Sequence, residues 1–309
     1  MSPTQPPVLW FNGALVPWET ATIHVWSEYG QRGASVFEGI RAYYNGEDGR
    51  HYAVALHEHM ARLQKSARGM RLPPTATSKE LVTGMHDLVA ALGIQEDLYL
   101  RPTLYIAKGR YAYRADQAEM GAFIVGFPSP SSSVPEPITC GISSWRRPAE
   151  QMVSPLVKAG GNYLGNRLSI IEAQEHGFSD AILLNDRGNV AEATGAVVFM
   201  VRDGVVSTPP LSAGILDSIT RRIVLELCES HALSCEIRDI SRAELDFADE
   251  LFLAGTLAEV QPISSLEGSA VGAATPGPVT YMISERYREI YRGGSREPRW
   301  LTRLGGSGS

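Results

Sequence analysis

Val157-Lys158-Ala159-Gly160-Gly161-Asn162-Tyr163 sets a lysine among neighbours suited to covalent chemistry. A Gly-Gly pair lets the backbone approach a flat ligand closely, and the primary amine beside it is a nucleophile once deprotonated. Tyr163 adds a phenol a few residues on. The plainer alternative is a solvated lysine in a glycine loop, and the run taken alone fits that alternative better.

Further along, Ala191-Glu192-Ala193-Thr194-Gly195 offers a carboxylate followed by small residues. Without Lys158, Glu192 reads as a solvated carboxylate at a strand end. With Lys158, it reads as the counter-charge for a protonated pyridine nitrogen. An amine able to form a Schiff base and a carboxylate of this kind point together to pyridoxal phosphate.

Other stretches give the run its context. They are Trp10-Phe11-Asn12-Gly13, Ser35-Val36-Phe37-Glu38-Gly39-Ile40-Arg41, His59-Met60-Ala61-Arg62-Leu63, Tyr99-Leu100-Arg101-Pro102, Gly255-Thr256-Leu257-Ala258-Glu259 and Gly277-Pro278-Val279-Thr280. Each is weak alone, but their order and spacing are specific. From about Leu9 to about Ile290 the chain resembles the class IV (fold type IV) pyridoxal-phosphate aminotransferases, in particular the branched-chain amino acid aminotransferases. The resemblance implies a mixed α+β chain of two domains with the D-amino acid aminotransferase-like fold. It also implies transamination of an L-amino acid, with 2-oxoglutarate as acceptor, by a homodimer or larger homo-oligomer, while the sparse cysteines fit a reducing cytoplasm.

Residue roles follow from the same resemblance. Lys158 holds the cofactor and moves the proton, Glu192 faces the ring nitrogen, and Tyr163 donates to the ring 3′-oxygen. Arg62 and the segment from Leu216 to Thr220 meet the phosphate, with Thr256 adding a hydroxyl and Gly195 completing the cofactor contacts. The amides of Ile219 and Thr220 suit an anion because they stand at a helix start. Tyr99, Arg101 and the Thr256-Leu257 turn meet the substrate α-carboxylate. Phe37 and Gly39 line the pocket, the glycine leaving room for substrate. Read locally, Arg62 is a surface helix arginine, Tyr163 a core-edge tyrosine, Thr256 a turn cap, and Tyr99 with Arg101 a half-buried strand face.

Departures from the family bear on specificity. Arg32 stands where branched-chain enzymes carry a pocket tyrosine, and Phe127-Pro128 runs into Ser129-Pro130-Ser131 instead of an aromatic wall. The loop Lys108 to Arg114, which in relatives reaches a neighbouring subunit's pocket, is basic and aromatic, and Ala196-Val197 follows Gly195. Cations tend to be kept where an anionic or polar ligand satisfies them, so a donor larger or more polar than valine is expected. The alternative is that Arg32 pairs with Glu28 and only shapes the pocket. Two other functions share the cofactor motifs: an aminodeoxychorismate-lyase-like elimination, and a cofactor-binding protein without turnover.

Composition narrows the classes. The 309 residues carry a formal charge of −6 and no basic face, which argues against nucleic acid as a partner. Cys140, Cys228 and Cys235 are widely spaced without a C-x-x-C pair, so neither a disulfide framework nor a metal site is expected. Met1 to Pro7 lacks an apolar leader core, and no run of about 18 apolar residues occurs.

The expected organisation is a small N-terminal domain over 1–127, a Pro/Ser-rich linker over 128–137, a larger cofactor-binding domain over 138–292, and a tail over 293–309 that ends in a linker scar. In the first domain, strands are expected at 8–11, 14–17, 36–43, 52–56, 98–107 and 121–127, and helices near 57–70 and 78–92, the latter capped by Ser78. In the second, strands are expected near 138–144, 180–185, 196–201, 205–208, 234–238 and 249–254. Its helices are expected near 164–176, 218–231 and 278–291.

Overall fold

The structure, a computed structural model, describes residues 5–108, 118–131, 135–292 and 299–305. The chain divides into two units: one takes the residues up to Ser131, Val157–Gly161 and the stretch from Ile290, and the other takes the remainder.

In the first unit, β1 (Val8–Phe11) and β2 (Ala14–Pro17) form a hairpin through Asn12 and Gly13, both at positive φ as a type I′ turn needs. Then come α1 (Glu28–Arg32), β3 (Ser35–Phe37), β4 (Ile40–Asn45), β5 (Arg50–Val54), α2 (Leu56–Gly69), α3 (Ser78–Leu92), β6 (Leu98–Lys108) and β7 (Glu119–Pro128). A last strand, Leu301–Leu304, pairs with β5. All pairings in this sheet are antiparallel.

Strand alternation sorts β6 into two faces. Leu98, Leu100 and Leu104 enter the core with Leu63 of α2 and with Leu81, Met85 and Leu88 of α3. Tyr99 and Arg101 take the other face. The cap of α3 is Thr77, not Ser78. Thr77 Oγ1 accepts the Glu80 N–H (3.2 Å) and Glu80 Oε2 accepts the Thr77 N–H (2.7 Å), because the capping box needs a carboxylate three residues on.

The single strand expected over 36–43 is two strands broken at Glu38-Gly39. Glu38 turns its N–H to the Pro102 carbonyl (3.0 Å) and its side chain inward, and Gly39 yields its space to the Tyr99 ring.

The second unit carries β8 (Ile138–Arg146), α4 (Tyr163–Glu175), β9 (Asp180–Leu184), β10 (Val190–Ala193), β11 (Val197–Arg202), β12 (Val205–Thr208), α5 (Ile219–Ser230), β13 (Cys235–Ile237), β14 (Glu250–Gly255), β15 (Glu259–Leu266) and β16 (Ser269–Ala270). A helix over Pro278–Arg292 follows. The strands run β10-β9-β8-β15-β14-β11, and the Glu192↔Val197 pair joins β10 back to β11. The six strands therefore close on themselves, which removes two sheet edges. Gly177, at φ 83°, ends α4, and Asp203-Gly204 turns the β11–β12 hairpin at positive φ. The expectations omit β10, β15, β16, α1 and the strand Leu301–Leu304, which lies in the stretch read as a tail. Apart from β15, which begins at the last residue of the Gly255–Glu259 motif, each is five residues or fewer.

Among the described residues no helix is long and apolar enough to cross a membrane, and no His/Cys/Asp/Glu cluster is placed to hold a metal ion.

Candidate active site

Lys158 belongs to the first unit, although the sequence places it after the linker. Val157 and Ala159 are buried in the core around α2, and Ala159 forms a bridge with Val36. A Cβ on Gly69 would meet Val157 Cγ2 at 2.7 Å, so the glycine at the end of α2 seats that valine. The backbone of Lys158 is held from both sides. Its N–H donates to Ser66 Oγ (3.1 Å), and its carbonyl accepts the Phe37 N–H (3.1 Å). From this fixed origin the half-buried side chain carries Nζ to 4.9 Å from the centre of the Phe37 ring.

The same ring has the Arg101 guanidinium 4.0 Å from its centre, so Lys158, Phe37 and Arg101 are brought together. Tyr99 is buried and tilted against Phe127 at 5.3 Å. Gly39 also has a role toward Tyr99. A Cβ there would run into the Tyr99 ring, so the missing side chain makes room for the tyrosine.

Arg62 is not the surface arginine that its local sequence allows. It is buried, with Nε 2.7 Å from Glu38 Oε1 and Nη2 2.8 Å from Oε2. His59 Nδ1 lies 2.7 Å from Glu38 Oε2. Burial pushes the Glu38 carboxyl up, but the charges and hydrogen bonds of Arg62 and His59 outweigh it and bring the pKa down to about 2. For His59 burial dominates and lowers the pKa, against the pull of Glu38 and with the help of Arg62 and Lys158.

Arg32 is the last residue of α1. Its Nη1 is 3.8 Å from Glu28 Oε2 one helical turn back, the alternative pairing considered for it. Of the basic loop, Lys108 ends β6 and 109–114 lie outside the described residues.

In the second unit Glu192 is buried on β10. Arg147 Nη2 is 2.9 Å from Oε1, and the Leu216 N–H donates to Oε2 (2.9 Å). Arg147 is fixed in turn: its Nε donates to the Gly214 carbonyl (3.3 Å) and its Nη1 to Asn166 Oδ1 (3.2 Å). Asn166 lies one turn after the half-buried Tyr163 on α4 and donates Nδ2 to the Thr194 carbonyl (2.6 Å). Thr194 Oγ1 donates to Asp180 Oδ1 (2.5 Å). Burial raises the Asp180 pKa, moderated by the hydrogen bonds from Thr194 and the Ala181 N–H.

Ser218 caps α5 by accepting the Arg221 N–H (3.2 Å), and the first helical bond runs from Arg222 N–H to the Ser218 carbonyl. The amides of Ile219 and Thr220 thus have no carbonyl four residues back within the helix and suit an anion. A Cβ on Gly255 would lie 3.1 Å from the Gly195 carbonyl, so close approach at Gly255 brings the Thr256-Leu257 turn beside Gly195.

Sequence reasoning missed Glu38, His59, Ser66, Arg147 and Asn166. Glu38 and His59 lie inside quoted motifs, and Ser66 follows Arg62 by one helical turn. For Arg147 the sequence carries no local signal.

Comparisons with known proteins identify the family. The model of the amino-transferase class IV family matches residues 35–266. The branched-chain-amino-acid aminotransferase of Escherichia coli (strain K12) is 34% identical over 299 residues, covering 94% of this chain and 95% of its own. The crystal structure of the branched-chain amino acid aminotransferase from Thermobaculum terrenum in its PLP holo-form superposes with a TM-score of 0.91 at 37% identity, covering 98% of this chain and 99% of its own. That of the branched-chain aminotransferase from the thermophilic archaeon Thermoproteus uzoniensis with norvaline gives 0.90 at 37% identity, covering 96% and 99%. With a family match over most of its length and relatives aligned nearly end to end, this chain belongs to the class IV aminotransferases.

Proposed function

We propose that the chain is a pyridoxal-phosphate-dependent transaminase that moves the amino group of an L-amino acid to 2-oxoglutarate, and that it works in the cytoplasm as a homodimer. The observation that carries this is Lys158, an amine on a backbone pinned at both its N–H and its carbonyl.

The residues present fit the cofactor. An ionised carboxylate offers about four lone-pair sites, so Glu192 can accept from Arg147, Leu216 and a pyridine N–H together. Arg62 supplies a fixed cation, and Ile219 and Thr220 supply N–H groups for a phosphate. When bound, pyridoxal phosphate supplies the carbonyl that takes up the amino group and the ring that accepts electron density from substrate Cα.

The protein's part is positioning, charge and proton transfer. Lys158 Nζ would hold the cofactor and, as a free amine, would take the proton leaving substrate Cα and return it to the carbon that receives the amino group. Glu192 holds a proton at the ring nitrogen, and Arg147 anchors Glu192. Tyr163 donates to the 3′-oxygen, and Thr256 adds a hydroxyl at the phosphate. Arg101 and Tyr99 hold the α-carboxylate with the Thr256-Leu257 amides, while Phe37 supplies an apolar wall.

A donor larger or more polar than valine is the finer reading of specificity. Because Arg32 has Glu28 as a partner, that reading rests mainly on Ser129-Pro130-Ser131 after the last aromatic of β7. Arg41 holds this segment through the Ser129 carbonyl (2.8 Å), Ser129 Oγ (3.1 Å) and the Pro130 carbonyl (3.2 Å).

The test is glutamate formation from 2-oxoglutarate and a panel of L-amino acids with the purified protein. Pyruvate released without any 2-oxo acid would mark the lyase-like alternative. No turnover with any donor would overturn the transaminase reading.

A further inference from the structure

Glu38 is fully buried, and the roles assigned above do not use it. It stands between Phe37, whose N–H holds the Lys158 carbonyl, and Gly39, whose bare Cα seats Tyr99. Its two oxygens take three donors at 2.7 to 2.8 Å: Arg62 Nε, Arg62 Nη2 and His59 Nδ1. An ionised carboxylate only accepts, so the hydrogen of the His59 ring sits on Nδ1. His59, Arg62 and Ser66 fall three and four residues apart, so one face of α2 presents all three.

Stability alone is a poor account of such a cluster. A buried ion pair gains little over well-packed apolar side chains, because desolvation opposes the Coulomb attraction. The fork of two N–H bonds does something an apolar pair does not: it fixes the plane and direction of the guanidinium. His59, bonded to Oε2, fixes the rotation of the carboxylate in turn.

Resting on the cofactor reading above, we infer that Glu38 is a positioning residue that aims Arg62 at the cofactor phosphate, with His59 as its second strut. The sign of its effect separates aim from charge. Glu38→Gln removes a negative charge from the neighbourhood of a phosphate, which by itself tightens anion binding. It also removes one strong acceptor from the fork, which weakens the aim.

The experiment strips the cofactor from wild type, Glu38→Gln, Arg62→Met and the double variant, then titrates each with pyridoxal phosphate and with pyridoxal. Binding is read by absorbance and protein fluorescence. Glu38→Gln should bind pyridoxal phosphate more weakly by on the order of tenfold, the scale of one charge-assisted hydrogen bond, with pyridoxal little changed. In the Arg62→Met background the same substitution should have almost no further effect. If Glu38→Gln does not fold, Glu38→Asp serves the same comparison, since it keeps the charge but falls one methylene short of the fork.

Unchanged or tighter binding of pyridoxal phosphate, or equal losses for both ligands, would overturn the inference. An undiminished effect in the Arg62→Met background would overturn it as well. A wild type that does not prefer the phosphate ester would instead sink the cofactor reading on which the inference rests.

Discussion

The proposed catalytic amine of Lys158 stands on a backbone that other residues hold, so its own removal should cost chemistry and spare the fold. Lys158→Ala is expected to fold with a near-native thermal midpoint and to lose turnover by roughly 10²–10⁴-fold or more, the range for deleting a proton-transfer group. Steady-state rates beside a melting curve check both halves. Glu192→Gln keeps the shape and loses the charge proposed to face the ring nitrogen, and should slow turnover on the order of 10²-fold, as for one removed electrostatic stabiliser. A rate within twofold of wild type would mean that Glu192 is misassigned. Gly39→Ala separates the two roles of that glycine, seating Tyr99 and leaving room for substrate. Its new methyl meets the Tyr99 ring, so overpacking should destabilise by about 1–3 kcal/mol and raise KM for the amino donor. An unchanged melting temperature with an altered KM would leave the substrate-room role alone standing.

At the scale of elements, α2 ties the first unit's chemistry together. One face carries the helix into the core through Leu63 and Met60, and another presents His59, Arg62 and Ser66 to Glu38 and Lys158. This arrangement makes stability sensitive to acid. The Glu38 carboxyl has a folded pKa of about 2 against an ordinary 4.5, so the stability it lends is full above about 4.5 and is lost as pH falls towards 2. The scale is on the order of 3 kcal/mol, by about 1.4 kcal/mol per unit. His59 adds in the same direction. Its folded pKa is lowered, so below its ordinary 6.5 the unfolded chain takes up a proton more readily and stability declines with pH. Melting curves from pH 7 to 3 should show a steeper acid loss in wild type than in Glu38→Gln/Arg62→Met. Parallel curves would contradict this assignment.

The elements also show what was legible in the sequence. Hairpins with Asn-Gly or Asp-Gly turns and the periodic helix α3 were readable because local chemistry decides them. The break at Glu38-Gly39 was not. An acidic residue in an apolar strand run signals burial only once Arg62 and His59 are known to face it. Lys158, Arg62, Tyr163 and Glu192 were read from a family pattern, whereas Arg147 and Asn166 act through hydrogen bonds to groups remote in sequence, which no local spacing encodes.

For the whole molecule, specificity is where the departures from the family matter. The comparison of specificity constants for leucine, isoleucine and valine against glutamate, glutamine, arginine and aromatic donors, in wild type and Arg32→Tyr, addresses it. The serines after Pro128 predict that the polar or larger donors lead in wild type. The Glu28 partner of Arg32 predicts that Arg32→Tyr leaves their ranking largely in place. A wild type that prefers the three aliphatic donors would remove the polar-pocket reading.

The central claim is that Lys158 is the amine through which this chain handles amino groups on pyridoxal phosphate. The most direct test is a single half-reaction. The purified holo-protein is mixed with an excess of a productive amino donor and no acceptor, and the cofactor's absorbance is followed in wild type and Lys158→Ala. The account predicts a rapid shift of the visible band in wild type, reversed by 2-oxoglutarate, and no comparable shift or reversal in Lys158→Ala. A Lys158→Ala protein that goes through the same shift and reversal at near wild-type rate would contradict it.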